Sequence, residues 1–207
     1  MRCRRSFLIA PLLLLSALVL APVLTFAEIF GDVYGGVAMP MDTQTTFDGV
    51  KLGEKSPYKD SFVFGGRVGY YFERASWVGL ALDASYFKAD INLSNGAEHD
   101  VIPVSALLMV RAPLGATAEF PHGRVQPYLG IGPSFVYSQS DIGTTDETSF
   151  NIGFDVHLGL TYMFTRNIGI LGEYRFTYVK PSYELNGVAV EPNFSVNHLA
   201  LGIALRF

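Results

Sequence analysis

The chain has 207 residues, which fits one domain, and only 16% of them are charged, compared with about 25% in an average soluble domain. Its formal net charge of −4 argues against a nucleic-acid partner, because nucleic-acid phosphates bind a basic surface. With 21 glycines and 14% aromatic residues, the composition suits strands that face something other than water, although a secreted soluble β-sandwich is also compatible with it.

Residues 1–27 have the three-part pattern of a secretory signal peptide. A start with three arginines precedes an apolar run over residues 7–24, and Thr25-Phe26-Ala27 places small residues at the positions that a signal peptidase reads. We expect cleavage between Ala27 and Glu28, which leaves a mature domain over residues 28–207; the alternative is a retained membrane anchor. The single cysteine, Cys3, lies in this segment, so the mature chain would have no disulfide, and loss of the three arginines would make its net charge −7.

Alternation of apolar and polar residues, which is the signal of a strand, recurs through the rest of the chain. Eight such runs cover residues 29–39, 62–72, 78–88, 101–112, 125–137, 150–164, 168–178 and 196–207. Several exceed the mean soluble strand of about 5–6 residues and match the roughly 9–11 residues of a tilted membrane-spanning strand. No stretch after Ala27 approaches 18 consecutive apolar residues, so we expect no further membrane-spanning helix.

The connections between these runs alternate in length. Those after the second and sixth runs are tight, the one after the fourth is moderate, and the other four are long and polar. Short periplasmic turns that alternate with longer outer loops are typical of bacterial outer-membrane barrels. The sequence therefore predicts an all-β fold, an eight-stranded antiparallel up-and-down transmembrane β-barrel preceded by a cleaved signal peptide. Both termini would lie on the periplasmic side, and the loops over residues 40–61 and 180–195 are candidate contact regions.

The two faces of the predicted strands differ in side-chain size. One face carries Leu, Ile, Val, Phe and Tyr, whereas the other carries many Gly, Ala and Ser residues. Because side chains alone fill the interior of an eight-stranded barrel, the small residues fit inside and the large apolar residues fit lipid. Aromatic residues cluster at both strand ends, as in the girdles of membrane barrels: Phe62, Phe64, Tyr86, Phe135, Tyr137, Phe150, Phe176 and Tyr178 at the loop ends, and Tyr70, Phe72, Tyr162, Phe164 and Phe207 at the turn ends.

The predicted interior contains ten ionisable residues. Charges in a narrow lumen must be paired, because desolvating a lone charge is costly, so we expect an internal network of ion pairs and hydrogen bonds. Strand positions suggest Glu173 with Arg175 and Asp83 with Arg67 as pairs. The network could block the lumen or line a narrow pore, and the small barrel favours the blocked form. Its predicted members are Asp32, Arg67, Asp83, Arg111, Asp155, His157, Glu173, Arg175, His198 and Arg206.

Several segments resemble the small outer-membrane β-barrel family that includes the OmpA transmembrane domain, opacity-type porins and Rickettsia- or Brucella-type surface barrels. They include GGRVGYYFE at 65–73, WVGLALDASYF at 77–87, RVQPYLGIGPSF at 124–135, residues 153–179, and NHLALGIALRF at 197–207. The last strand also resembles the signal that the barrel assembly machinery reads, through Leu201, Ile203, Leu205 and Phe207. The resemblance implies a Gram-negative cell outer membrane as the location, outer-membrane lipid as the surroundings, and periplasmic chaperones and that machinery as transient partners.

No catalytic constellation, metal-ligand cluster or cofactor motif stands out. Lipid A deacylases, which this chain resembles in size, carry a His-x-Ser motif, but Gly159 follows His157 at that spacing and Ala200 follows His198. Three functions therefore remain as hypotheses. The first is a non-enzymatic structural or surface-interaction role through the outer loops, with an unknown host or surface ligand. The second is a narrow pore for small solutes, and the third is a lipid-modifying enzyme.

Overall fold

The fold is given by a computed structural model that describes residues 28–41, 45–47, 50–51, 60–88, 98–142, 145–179, 183–185, 188–192 and 194–207. The predicted signal peptide, residues 1–27, lies outside the described residues, as does most of the loop over residues 40–61. Among the described residues, no helix is long and apolar enough to cross a membrane.

The described chain forms twelve strands. In order they are β1 (Glu28–Pro40), β2 (Thr45–Phe47), β3 (Val50–Lys51), β4 (Ser61–Phe72), β5 (Ala75–Lys88), β6 (Glu98–Arg111), β7 (Val125–Ile142), β8 (Thr145–Met163), β9 (Ile168–Val179), β10 (Tyr183–Leu185), β11 (Val188–Pro192) and β12 (Phe194–Arg206). Eight long strands close an antiparallel barrel in the order β1-β12-β9-β8-β7-β6-β5-β4. The predicted closed barrel of eight strands is therefore confirmed.

Four short strands form a second sheet from the two regions that the sequence analysis selected as contact loops. Its order is β10-β11-β2-β3, and β11 pairs with β2 at Val190 and Phe47. In the sequence, β2 and β3 are separated by Asp48-Gly49, and β10 and β11 by Asn186-Gly187. Both are residue pairs that favour two-residue hairpin turns. The rest of these two regions lies outside the described residues, so the contact prediction itself stays a prediction.

The hairpin of β7 and β8 is longer than predicted. Its pairing continues to Ile142 opposite Thr145, five residues past the aromatic pair Tyr137 and Phe150. Because both faces of a strand are polar where it leaves the hydrocarbon, the apolar alternation stops there although the backbone pairing continues. The period of hydrophobicity therefore predicts the membrane-spanning part of a strand and underestimates its full length.

The strands are strongly staggered around the barrel. Starting at Asp32 and following paired residues through Arg67, Asp83, Ser105, Ser134, Gly153 and Val179 leads to Phe194 on β12. The β12 residue that pairs directly with Asp32 is Ala204, ten residues further along. Such a shift tilts all strands against the barrel axis. Side chains from distant strands and from different rows of the ladder can therefore meet across the interior.

The outer surface of the barrel is apolar. Leu201 is 75% exposed, Phe62 is 70% exposed and Val33 is 65% exposed, and they belong to a belt of large apolar side chains that covers every barrel strand. Aromatic pairs flank this belt, with Phe135 against Phe150 at the loop end and Tyr162 against Phe164 at the turn end. A water-soluble monomer rarely exposes so large an apolar surface. The belt is consistent with a surrounding lipid bilayer.

Glycines create the space inside the barrel. A Cβ atom at Gly159 would collide with the ring of Tyr128, and one at Gly65 would collide with the hydroxyl of Tyr34. Both tyrosines are buried and point into the interior. These two glycines therefore allow two large phenol side chains to reach the centre of a barrel that would otherwise be too narrow for them.

Candidate functional site

The interior of the barrel holds all ten ionisable residues that the sequence analysis placed there. Each of them is at most 5% exposed. Inward and outward side chains alternate along every barrel strand, so these residues point inward because of their position in the strand. The interior is therefore the densest concentration of buried charge in the described part of the chain, and it is the candidate functional site.

Arg67 on β4 lies at the centre of this site, and its side chain is fully buried. Its Nη2 donates to Glu173 Oε2 on β9, at 2.5 Å across the lumen. Its Nε lies 3.5 Å from Asp32 Oδ2 on β1 and 3.6 Å from Asp83 Oδ2 on β5. One guanidinium therefore connects carboxylates on three other strands.

A second arginine completes the central cluster. Arg175 on β9 lies 3.0 Å from Asp83 Oδ1 through Nη1, and its Nη2 donates to Glu173 Oε1 at 3.0 Å. The hydroxyl of Tyr34 donates to Asp83 Oδ1 at 2.8 Å, and that of Tyr128 donates to Glu173 Oε2 at 2.8 Å. Each of the two carboxylates is thus held by two guanidinium groups and one phenol. Such mutual contacts offset the cost of burying the charges.

A third group lies beside this cluster. Asp155 on β8 accepts a hydrogen bond from the hydroxyl of Ser105, and Ser105 also contacts the hydroxyl of Ser134 at 2.9 Å. The His157 ring lies between two carboxylates, with Nε2 3.7 Å from Asp155 Oδ2 and Nδ1 3.4 Å from Glu173 Oε1. His157 therefore links the serine pair to the central cluster.

The turn end of the interior carries a further set of ion pairs. Both Nη atoms of Arg111 bind the carboxylate of Glu28, and His122 Nδ1 lies 3.3 Å from the same carboxylate. Arg206 Nη1 donates to Asp32 Oδ1 at 2.8 Å, and its Nε lies 3.7 Å from Glu28 Oε1. Arg206 therefore joins the pair at the turn end to the carboxylate that Arg67 contacts.

His198 is the exception among the ten predicted residues, because it forms no ion pair with the part of the chain that the structure describes. Its Nε2 lies 3.4 Å from the hydroxyl of Thr177, and its ring packs against Phe87 with centroids 5.1 Å apart. The two pairings that strand positions suggested are present: Arg175 with Glu173 at 3.0 Å, and Arg67 with Asp83 at 3.6 Å.

Three important contributors were missing from the predicted set. Glu28 has the same strand parity as Asp32, but in the sequence it is marked only as the residue after the predicted cleavage position. Tyr34 and Tyr128 also have inward parity, and both bind central carboxylates. Parity alone could have identified all three, whereas their pairing partners depend on the tertiary structure.

Apolar side chains close the loop end of the interior. Seven buried residues, one from each barrel strand except β8, form a layer that we call the outer apolar ring: Ala38, Val63, Phe87, Val101, Val136, Val179 and Val196. Each is at most 5% exposed. A solute or hydrated ion that entered from the loop side would have to cross this ring before it reached the charged cluster.

The segment over residues 112–124 narrows the turn end. Phe120 is buried there, and the guanidinium carbon of Arg124 lies 5.1 Å from the centre of its ring. Arg166 holds the segment from the next turn, donating to the carbonyl oxygens of Glu119 and Ala118 at 3.0 and 2.6 Å. What remains at this end is a cavity of 160 Å³ lined by Glu28, Phe120, Met163, Arg206 and neighbouring residues.

The buried histidine and serine do not form a hydrolytic arrangement. The hydroxyl of Ser105 binds the Asp155 carboxylate, whereas a nucleophilic serine needs a neighbouring base such as a histidine nitrogen. Ser105, Asp155 and His157 are also almost completely buried, so a lipid substrate in the bilayer could not reach them. Among the residues with described side chains, no group of three or more His, Cys, Asp or Glu residues is arranged to hold a metal ion.

Comparisons with known proteins give a consistent result. A family model for an outer membrane protein beta-barrel domain matches residues 7–207. The 25 kDa outer-membrane immunogenic protein of Brucella abortus biovar 1 (strain 9-941) is 32% identical over 84 residues, which are 40% of this chain and 39% of the relative. The protein of the same name from Brucella suis biovar 1 (strain 1330) matches to the same extent. The matched segment thus spans well under half of these relatives.

Solved structures resemble the chain over nearly its full length. Neisserial surface protein A has a TM-score of 0.56 and 19% identity, with 87% of this chain and 97% of that chain covered. The outer membrane protein OprG from Pseudomonas aeruginosa also has a TM-score of 0.56, with 18% identity and coverage of 88% and 96%. At these identities the likeness concerns the fold alone.

Proposed function

Because the chain belongs to the outer membrane protein β-barrel family, we propose that it is a closed, non-enzymatic barrel whose outer loops carry a structural or surface-interaction role. The observation that carries this proposal is the combination of the outer apolar ring with the charged cluster below it. Both obstacles lie within one narrow lumen, which favours the blocked interior over a pore.

The apolar ring opposes ion passage because an ion would have to lose water there without gaining a polar partner. The charged cluster opposes it sterically, since Arg67 and Arg175 reach across the lumen to carboxylates on other strands. Some buried atoms, such as Arg67 Nη1 and Thr161 Oγ1, have no hydrogen-bond partner among the described residues. Water molecules in the interior would satisfy these atoms. A hydrated interior would in turn support the alternative of a narrow pore.

The loops support a surface role through their charge. The loop-side segments over residues 41–60, 88–100, 138–149 and 180–193, which include the loop-side ends of four barrel strands, contain twelve Asp and Glu residues, five lysines and no arginine. Their net charge of −7 equals that expected for the whole mature chain, so the outer surface carries the acidic excess. A protein partner with a basic surface would be attracted to it. The matched Brucella relative is named an outer-membrane immunogenic protein, which supports exposure on the cell surface.

Export and assembly form part of the same proposal. Residues 1–27 would direct the chain through the inner membrane and be removed between Ala27 and Glu28. Periplasmic chaperones and the barrel assembly machinery would then act as transient partners, with outer-membrane lipid as the final surroundings. Leu201, Ile203 and Phe207 are 75%, 55% and 65% exposed on the barrel wall, so the proposed assembly signal presents apolar side chains outward. We propose no nucleic-acid partner.

Recordings in planar lipid bilayers test the blocked interior. The purified mature protein should give no stable unitary conductance steps, and a known open porin in the same bilayers provides the positive control. Reproducible unitary steps from the mature protein would show that the lumen conducts and would reject the blocked form. Mass spectrometry of lipid A from cells that make the protein tests the enzymatic alternative, for which a mass change absent from cells without it is required.

Cysteine labelling tests the orientation of the loops. The predicted mature chain has no native cysteine, so Thr145→Cys at the loop end and Arg74→Cys at a turn can be compared directly. A membrane-impermeant maleimide should label the first variant on intact cells and the second only after the outer membrane is permeabilised. The opposite pattern would place the acidic loops in the periplasm and remove the basis for a surface role.

A further inference from the structure

The seam between β1 and β12 is where the last strand meets the first and the barrel closes. Backbone pairing joins them from Phe30 opposite Arg206 to Pro40 opposite Val196. In addition to this backbone ladder, ion pairs cross the seam, and all of those between described residues involve Arg206. Arg206 lies at the end of β12, the last strand in chain order, and its side chain points into the interior.

Arg206 contacts β1 at two points. Its Nη1 donates to Asp32 Oδ1 at 2.8 Å, and its Nε lies 3.7 Å from Glu28 Oε1. Its guanidinium carbon also lies 5.1 Å from the ring centre of Phe30, which stands between these two acidic residues in the strand. One side chain of β12 therefore covers three successive inward positions of β1.

The same residue connects two parts of the interior network. On one side, Arg111 and His122 bind Glu28. On the other side, Arg67 contacts Asp32 and leads to the central cluster. No other ion pair between described residues links Glu28 to Asp32, so without Arg206 the network would separate into a turn-end part and a central part.

The backbone around Arg206 is also held in place. Its amide N–H donates to the carbonyl of Asn167 at 2.9 Å, and the Asn167 side-chain amide donates to the carbonyl of Arg206 at 2.6 Å. Phe207 N–H donates to the carbonyl of Ile29 at 2.9 Å. The two bonds to Asn167 fix the backbone of Arg206 from the turn between β8 and β9, independently of β1, whereas the bond to Ile29 is part of the seam itself.

We propose that the Arg206 side chain stabilises closure of the barrel. It holds β12 against β1 through its contacts with Asp32 and Glu28, and it thereby joins the two parts of the interior network. The other seams do not depend on this residue. Arg67, for example, bridges β4 to β1 and to β5. Loss of the Arg206 guanidinium should therefore slow closure of the β1–β12 seam much more than pairing of the remaining strands.

Paired cysteines can measure closure of individual seams, because the predicted mature chain has no native cysteine. Val33 pairs with Ile203 across the β1–β12 seam, and Val68 pairs with Leu82 across the β4–β5 seam. All four are outward positions, so their substitution leaves the interior unchanged. Double variants V33C/I203C and V68C/L82C would be folded into lipid vesicles and sampled with an oxidant during folding, each with and without Arg206→Gln.

We expect Arg206→Gln to slow cross-linking of the Val33–Ile203 pair about tenfold, the effect of a lost charge-assisted hydrogen bond on closing, and to leave the Val68–Leu82 pair unchanged. The exposed Arg74→Gln should change neither rate. Equal slowing of both pairs would show a general loss of stability, and an unchanged seam rate would show that backbone pairing closes the barrel alone; either result overturns the proposal. If Arg206→Gln does not fold, Arg206→Lys provides the same comparison, since it keeps the charge but cannot span both carboxylates.

Discussion

Replacement of Arg67 by methionine should weaken the barrel by about 3 kcal/mol. Removing one member of a buried ion pair costs about 3–5 kcal/mol, because the remaining charge stays buried without its partner. Arg67 has three acidic neighbours, at 2.5, 3.5 and 3.6 Å. Each of them keeps another cation: Arg175 remains for Glu173 and Asp83, and Arg206 remains for Asp32. The lower end of the range is therefore expected.

Urea unfolding of the protein in lipid vesicles, followed by tryptophan fluorescence and by the heat-dependent shift on gels, measures this loss. With a urea dependence of about 1–3 kcal/mol per molar, a loss of 3 kcal/mol lowers the midpoint by roughly 1–3 M. Arg67→Lys keeps the charge without the planar fork and should lie between Arg67→Met and the parent.

The exposed Arg74 provides the matched control for this series. Arg74→Met should change the free energy of unfolding by less than about 0.5 kcal/mol, as is usual for surface positions. A parent-like or higher midpoint for Arg67→Met would show that the interior is hydrated enough to accommodate unpaired carboxylates. Ion pairing would then not be what stabilises the charged interior.

Three further predictions concern single positions. Leu201→Arg on the lipid face should destabilise the barrel by about 2–4 kcal/mol in vesicles, the cost of a charge near the middle of the bilayer, and a neutral effect would contradict contact between this face and lipid. Gly159→Val should prevent folding, because a side chain there collides with Tyr128. The heat-dependent gel shift measures the folded fraction, and Gly159→Val combined with Tyr128→Ala should recover at least part of that fraction. Tyr34→Phe removes one hydrogen bond to Asp83 but leaves Arg175 in place, so its unfolding free energy should fall by only about 1–2 kcal/mol. A loss as large as that of Arg67→Met would mean that the phenol, and not the guanidinium, is the main partner of Asp83.

The strand pattern could be predicted from the sequence because membrane strands have two chemically distinct faces. The second predicted strand, residues 62–72, corresponds to Ser61–Phe72 in the structure. The prediction failed where this contrast disappears: β7 and β8 continue to Ile142 and Thr145 through residues that are polar on both faces. Hydrophobic alternation reports the surroundings of a strand, and backbone pairing does not require it.

The composition of the interior could also be predicted, with gaps that have a physical cause. Strand parity identified ten buried ionisable residues but omitted Glu28, which lies next to the predicted cleavage position and yet binds Arg111. The outer apolar ring was not anticipated, because its members belong to seven strands and are spread over most of the chain. Only closure of the barrel brings such residues to one level.

The alternation of residues along the chain assigns each side chain to the interior or to lipid, since a period of two places every residue of a strand on one of two faces. The pairs that the inward charges form follow from the closed barrel and not from this alternation. Arg67 and Glu173 are 106 residues apart, on strands that are not neighbours in the barrel. Their contact depends on the ten-residue stagger and on the small diameter of a barrel with eight strands. Neither quantity is a property of any single strand, because both arise only when the last strand pairs with the first.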